Sequence, residues 1–216
     1  MKIEWLGLGA FKLTESTGIS IVTDPYDSSK TDIRFPQTVA DVVTISHKGH
    51  DSSLVQTGEK GKLIIETPGF HELDGVRLNG FLSYRDSEKG KIRGRNIVYK
   101  IRMDGVEICH LGDIGEDLSP MLAELIGMVN ILFIPINPGK ALDVSQAKEY
   151  VDMLMPDVVV PMKCEHRNWH RGDNNDFDEF IDLFNPSDVE YLGSEIVEYD
   201  RADFSGEKTK VVIFKR

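Results

Sequence analysis

The 216-residue sequence has few cysteines and no long apolar run. Its two cysteines, Cys109 and Cys164, are too few for a disulfide framework and indicate free thiols in a reducing compartment. No apolar stretch approaches the roughly 18 residues that a membrane-spanning helix needs. The first residues also lack the regions of a signal peptide. We therefore expect a cytoplasmic protein that does not enter a membrane.

Positive charge is also scarce, with 25 Lys and Arg residues against 36 Asp and Glu residues and a formal net charge of −11. Binding to a nucleic-acid backbone draws on counterion release by a basic surface, so this balance argues against nucleic acid as a partner. The sequence has neither a Walker A segment nor a G-x-S-x-G nucleophile elbow. If the protein has a reaction centre, it must be of another kind.

The order of the predicted elements favours a single domain over residues 1–216. The first hundred residues resemble short strands separated by turns, and the Asp74-Gly75 and Asp104-Gly105 pairs lie between strand-like runs and predict hairpin turns. The second half alternates apolar strands with helical periodicity. Helices are predicted from Ser119-Pro120 to about Gly127, over Asp143–Met155 and over Asp176–Phe184. The pattern predicts two sheets covered by helices but does not choose among α+β and α/β layouts.

Three apolar strands are each followed directly by polar residues. The segments are Ser46-His47-Lys48-Gly49-His50-Asp51-Ser52, Cys109-His110-Leu111-Gly112-Asp113 and Pro161-Met162-Lys163-Cys164. Functional residues often lie on loops that a rigid sheet positions. These segments are therefore the first candidates for a functional site.

Together, the segments resemble the metallo-β-lactamase superfamily, and most closely its small zinc-dependent hydrolases similar to bacterial ascorbate-6-phosphate lactonase. Eight motifs follow the family's order along nearly the whole chain: KIEWLGLGAF, IVTDPY, ADVVTISH, TPGFHE, RGRNIVY, CHLGDIG, ILFIPI and VVVPM. The resemblance implies an α+β fold of the metallo-β-lactamase type, an αββα four-layer sandwich.

The resemblance also implies where metal ions would bind. Family members hold one or two ions with an H-x-H-x-D-H motif, a mid-chain histidine, an aspartate in L-G-D and a late histidine in P-M-H. Three of these seven positions are kept here, as His47, Asp51 and Asp113. The other four are occupied by Gly49, Ser52, Arg85 and Lys163, and the early histidine of the family is Leu8.

Arg85 and Lys163 change the chemistry expected at these positions. Their charged side chains have no lone pair for a metal ion. They can instead neutralise Asp51 and Asp113, since an unpaired buried carboxylate is costly. We therefore predict that Arg85 and Lys163 form salt bridges in the former metal site.

Two functions remain open. The first is a hydrolase homologue that has lost its two-metal chemistry, needs no cofactor and binds a small anionic ligand or a partner through Arg85 and Lys163. The alternative is a hydrolase of a small phosphorylated lactone or ester. In that case His47, Asp113 and His50 would hold one zinc or manganese ion, and Asp51 would be the general base.

Some further residues have a structural and a functional interpretation. Cys164, His166 and His170 either belong to a surface loop or build a substitute metal site. His110 is predicted to be a structural histidine that is satisfied by hydrogen bonds. The strand edges of the first half are compatible with a homo-oligomer, although no residue specifies one.

Overall fold

The structure is a computed structural model that describes residues 1–31, 33–137, 139–162 and 175–215. The predictions for Lys163, Cys164, His166 and His170 concern residues outside these ranges. In the described chain the strands are β1 (Lys2–Gly7), β2 (Ala10–Thr14), β3 (Ser20–Thr23), β4 (Thr38–Ala40), β5 (Val42–Thr44), β6 (Val55–Thr57), β7 (Leu63–Ile65), β8 (Gly69–Leu73), β9 (Val76–Tyr84), β10 (Arg95–Met103), β11 (Val106–His110), β12 (Ile131–Pro135), β13 (Val158–Met162), β14 (Val189–Tyr191), β15 (Ile196–Glu198) and β16 (Lys210–Ile213). The helices are α1 (Pro120–Ile126), α2 (Val144–Leu154) and α3 (Asn175–Asp182).

Two large sheets form the centre of the molecule. One has the strand order β15-β1-β2-β3-β5-β7 and the other β14-β16-β13-β12-β11-β10-β9-β8. A buried apolar cluster joins residues of both sheets, such as Phe11 and Ile21 from the first and Ile101 and Phe133 from the second. The faces of two sheets that bury such a cluster pack as a sandwich.

A further apolar cluster lies on the outer side of each sheet. On the eight-stranded sheet, all three helices contribute to it, and α2 does so through Ala147, Tyr150, Val151 and Leu154 at helical spacing. On the six-stranded sheet, the cluster is completed by Tyr26, Ile33, Phe35 and Val55. The predicted fold, an α+β sandwich of the metallo-β-lactamase type, is confirmed.

The three predicted helices are present, with ends within two residues of those expected. Ser119 caps α1 by accepting a hydrogen bond from the Leu122 amide at 3.2 Å, and Pro120 is the first helical residue. Asp143 and Gln146 form a capping box at the start of α2. None of the helices among the described residues has the length and apolar character needed to cross a membrane.

Both Asp-Gly hairpins are confirmed. Asp74-Gly75 joins β8 to β9 with φ angles of 47° and 90°, and Asp104-Gly105 joins β10 to β11 with φ angles of 50° and 72°. Two successive positive φ angles define the type I′ turn, whose twist matches that of the flanking strands. The second hairpin directs β11 towards the cleft described below.

Tyr99 of β10 links the two sheets. Its hydroxyl lies 2.9 Å from the carbonyl oxygen of Ile45 and 2.8 Å from that of Ile65, both in the opposite sheet. The side chain is fully buried, and this burial raises the pKa of its phenol above the ordinary value. The one hydroxyl proton can satisfy the buried Ile45 carbonyl, whereas the Ile65 carbonyl also accepts from the Ile45 amide at 2.9 Å.

We expect Tyr99→Phe to lower the free energy of unfolding by about 1–3 kcal/mol, because the Ile45 carbonyl loses its buried donor. Urea unfolding followed by circular dichroism measures this loss as a lower midpoint. Tyr191→Phe, at a half-exposed tyrosine, should change stability by less than about 0.5 kcal/mol. Equal midpoints for Tyr99→Phe and the parent chain would contradict the role given to the hydroxyl.

Candidate metal centre and anion-binding cleft

A cleft of about 710 Å³ lies at the strand ends singled out in the sequence. Asp24 directly follows β3, His47 follows β5, and Asp113 follows β11. Because β3 and β5 are parallel, with Thr23 beside Thr44, their carboxyl ends meet at one edge of the six-stranded sheet. Arg85 and Arg93 reach the same cleft from the turn between β9 and β10.

Asp24, His47 and His50 form a compact group of side chains of the types that can bind a metal ion. One carboxylate oxygen and two ring nitrogens lie within 4.8 Å of one another. His50 Nε2 is 3.6 Å from Asp24 Oδ2, and the imidazole rings of His47 and His50 meet edge to face at 4.4 Å between centroids. The structure thus brings together His47 and His50, both predicted as ligands, and adds Asp24.

Asp24 was not among the site residues predicted from the sequence, although its position carries a usable signal. The residue ends the apolar run of β3 and precedes Pro25, as the other candidate residues end apolar strands. Its backbone has a φ of 42°, an uncommon value for a residue other than glycine. Asp24 is thus a polar residue that directly follows an apolar strand, and this criterion made the other residues candidates for the functional site.

The carboxylate of Asp24 is held in its charged form. It accepts hydrogen bonds from the Ser46 amide at 2.7 Å and the Ser46 hydroxyl at 2.5 Å. Burial by itself would raise the pKa of Asp24, but the neighbouring histidines, His50 foremost, and the Ser46 hydroxyl together hold the pKa at about 2. At neutral pH the cleft therefore contains a buried anion that is able to bind a cation.

Asp113 has a different partner set. Its Oδ2 atom accepts from Arg85 Nε at 2.8 Å, Arg85 Nη2 at 2.6 Å and Arg93 Nη2 at 3.1 Å, while His47 Nε2 lies 3.9 Å away. Asp113 is buried, and such a carboxylate requires opposite charge nearby. Two guanidinium groups supply more than the one positive charge needed. In this structure the Oδ2 atom of Asp113 accepts hydrogen bonds from Arg85 and Arg93. A role for Asp113 as a metal ligand stays a prediction.

The loop between the two arginines is organised by Asp86. Its carboxylate accepts hydrogen bonds from the backbone amides of Glu88, Gly90, Ile92 and Arg93 at 2.6 to 3.3 Å. Burial opposes the charge of Asp86, but these amides hold its pKa below the ordinary value. Arg85 and Arg93 also donate to each other's carbonyl oxygens at 3.2 and 3.3 Å. The two guanidinium groups are therefore positioned as a pair, and the sequence analysis named only Arg85.

The turn before Asp113 requires glycine. Gly112 has a φ of 63°, and a Cβ atom there would lie 2.5 Å from Asn96 Oδ1 and 2.6 Å from Ser46 Cβ. Asn96, fully buried, accepts from the Asp113 amide at 2.9 Å and donates to the carbonyl of Leu111 at 2.9 Å. Close packing of these groups fixes where the Asp113 carboxylate enters the cleft.

His110 is hydrogen-bonded through both ring nitrogens. Nδ1 accepts from the Gly112 amide at 3.2 Å, and Nε2 lies 2.8 Å from the Gly9 carbonyl oxygen. An amide N–H can only donate, so the ring must carry its proton on Nε2, which donates to Gly9. The structural role predicted for His110 agrees with these bonds.

Asp51 caps a short turn. Its Oδ1 accepts from the Ser53 amide at 2.9 Å at the start of the 3₁₀ helix Ser52–Leu54, and this bond lowers the pKa of Asp51. Of the described residues that line the cleft, Asp24 and Asp113 are the carboxylates. A catalytic role for Asp51 stays a prediction.

Comparisons with known proteins agree with this architecture. A family model described as "Beta-lactamase superfamily domain" matches residues 2–163. The chain is 28% identical over 190 residues to a UPF0173 metal-dependent hydrolase of Thermococcus onnurineus, covering 75% of this chain and 84% of the relative. A UPF0173 metal-dependent hydrolase of Pyrococcus furiosus is 27% identical over 243 residues, covering 100% of this chain and 96% of the relative.

Solved structures extend the likeness over the full length. A Thermotoga maritima protein assigned as a zinc-dependent hydrolase of the metallo-β-lactamase superfamily superposes with a TM-score of 0.78 at 30% identity, covering 99% of this chain and 98% of that one. A Parabacteroides distasonis protein assigned as a metal-dependent hydrolase has a TM-score of 0.62 at 19% identity, covering 97% and 91%, and shares the fold. The chain therefore belongs to the metallo-β-lactamase superfamily and is similar to its UPF0173 metal-dependent hydrolases.

Proposed function

We propose that this chain is a single-metal hydrolase of small anionic esters or lactones, phosphorylated ones among them. The observation that supports this most strongly is the group formed by Asp24, His47 and His50 at the cleft. The names of the relatives support a metal-dependent reaction but not a substrate. The proposal keeps His47 and His50 as ligands and assigns the third position to Asp24.

The donor atoms fit a zinc-type ion. Two imidazole nitrogens and one carboxylate oxygen form a common catalytic set, which leaves a further position open towards the cleft. Two ligands of a tetrahedral zinc ion lie about 3.4 Å apart at the usual bond lengths of ~2.0–2.1 Å. The 3.6 Å separation between His50 Nε2 and Asp24 Oδ2 is close to that value.

Asp24, His47 and His50 would hold a divalent ion here, and such an ion would supply Lewis-acid polarisation of a carbonyl or phosphoryl oxygen and a lower pKa for water. The protein's own part is to hold the ligands in place. Ser46 orients Asp24 through two hydrogen bonds, and the burial of Asp24 together with the partial burial of His47 and His50 limits competition from bulk water. Because Asp24 is already ionised at neutral pH, binding of a cation does not have to displace its proton.

Arg85 and Arg93 give the cleft its preference for anions. Two positive charges face the single negative charge of Asp113, which leaves an excess of positive charge at the wall of the cleft. Guanidinium groups bind phosphate and carboxylate oxygens through paired N–H donors. A substrate with such a group would be held next to the three proposed ligands.

A second candidate function is a metal-free homologue that binds an anion without cleaving it. The pairing of Asp113 with two arginines favours this metal-free function. The superfamily resemblance assigns the Asp113 carboxylate to metal binding, but here it forms ion pairs with Arg85 and Arg93. The two candidates differ in whether Asp24, His47 and His50 hold an ion. Metal content separates them directly.

After dialysis against zinc or manganese and then buffer, we expect about one ion per chain by elemental analysis. Asp24→Asn and His50→Gln should bring this content close to zero, because each removes one of three ligands. The matched control is His71→Gln, at a histidine of β8 away from the cleft. Parent protein without bound metal, or full occupancy in Asp24→Asn, would contradict the single-metal centre.

We expect Arg85→Gln to weaken the binding of inorganic phosphate roughly tenfold, as lost charge-assisted hydrogen bonds are worth about 1.5 kcal/mol or more. Isothermal titration calorimetry measures the dissociation constant, and metal content should stay near that of the parent. Arg77→Gln, at an exposed arginine of β9, is the control. Unchanged phosphate binding in Arg85→Gln would rule out the anion-binding role.

A further inference from the structure

A second hollow, of about 830 Å³, adjoins the cleft. The two share His47, His50, Arg85 and Arg93 as lining residues, so these side chains border both the hollow and the cleft. It does not include Asp24 or Asp113 among its lining residues. A molecule bound beside the arginines can therefore extend away from the two carboxylates.

The walls of the hollow are largely apolar. Ile45 and Ile97 are buried at its sides, and Pro68 contributes from the connection between β7 and β8. Leu82 of β9 also lines it and is 44% exposed, a high value for a leucine that faces a concave surface. Concave apolar surface next to a few convergent polar groups is typical of small-molecule sites.

Charged residues of the hollow are mainly cationic. Among the described residues, its lining contains Lys48, Arg85, Arg93 and Arg95, against Glu66 as the anionic residue. This balance is opposite to the net charge of −11 of the whole chain. The hollow therefore favours a ligand with negative charge, while its apolar walls favour a hydrocarbon or aromatic part.

We propose that the hollow binds the apolar body of an amphipathic anion, whose phosphate or carboxylate lies between Arg85 and Arg93. The occupant is a small molecule with one anionic group attached to a ring or a carbon chain. Each guanidinium group has N–H donors beyond those that bind Asp113 and the neighbouring carbonyl, because it has five in all. If the bound molecule is a substrate, this inference rests on the proposed function. The substrates would then be anionic esters or lactones that also have an apolar part.

Leu82 is the residue that discriminates in this arrangement. It is paired with Ile97 across β9 and β10, so the two side chains form adjacent parts of one apolar surface. An anion without a hydrocarbon part gains nothing from this surface. A change at Leu82 should therefore alter the preference between anions but leave the binding of the anionic group itself unaltered.

The test uses two phosphonates, which carry the same charged group and are not hydrolysed. Chelator-treated protein is titrated calorimetrically with methylphosphonate and with 1-naphthylphosphonate. We expect 1-naphthylphosphonate to bind about tenfold more tightly than methylphosphonate. This ratio of dissociation constants corresponds to roughly 60 Å² of additional apolar surface removed from water. Leu82→Gln should reduce the ratio to about twofold or less and keep the affinity for methylphosphonate.

Leu125→Gln is the matched control, since Leu125 is an exposed leucine of α1 outside the hollow, and it should keep the parent ratio. Equal affinities for the two phosphonates in the parent protein would overturn the inference, as would no binding of either. A preference for methylenediphosphonate over 1-naphthylphosphonate would also overturn it, because the hollow would then bind a second anionic group.

The result does not depend on metal. A chain that holds no ion but prefers the naphthyl compound would contradict the proposed hydrolase and support the amphipathic ligand. A chain that holds one ion but binds both phosphonates equally would support the proposed hydrolase and contradict the amphipathic ligand.

Discussion

The need to compensate two buried carboxylates governs the arrangement of this cleft. Asp24 and Asp113 are both almost completely buried, and neither charge is tolerable there without a partner. Asp24 is surrounded by Ser46, His47 and His50, and Asp113 by Arg85 and Arg93. The charges of Asp24 and Asp113 are compensated in different ways. The imidazoles around Asp24 leave a site that can accept a cation, whereas the guanidinium groups around Asp113 are themselves the cations.

The fold supplies each partner from a different element. Parallel pairing of β3 and β5 places Asp24 beside Ser46, and the glycine turn at Gly112 sets the direction of Asp113. The Asp86 carboxylate gathers the loop that carries Arg93. The position of Arg85 beside Asp113 is therefore supported by surrounding structure, and the cleft has a positively charged wall at this point.

Much of the fold could be predicted from the sequence because its signals are local. Helix caps at Ser119 and Asp143 and the Asp-Gly turns determine their own geometry over a few residues. The site was only partly predictable. His47, His50 and Arg85 were named because they lie in recognisable segments. Asp24 becomes a neighbour of His47 only when β3 pairs with β5, and Arg93 comes beside Arg85 through the loop that the Asp86 carboxylate organises.

A crystal of this protein soaked in zinc, with data collected at the zinc absorption edge, tests the central claim most directly. We expect one anomalous peak between Asp24, His47 and His50, with Arg85 still bound to Asp113. A peak coordinated by Asp113 or Asp51 without Asp24, or no peak in the cleft, would contradict it.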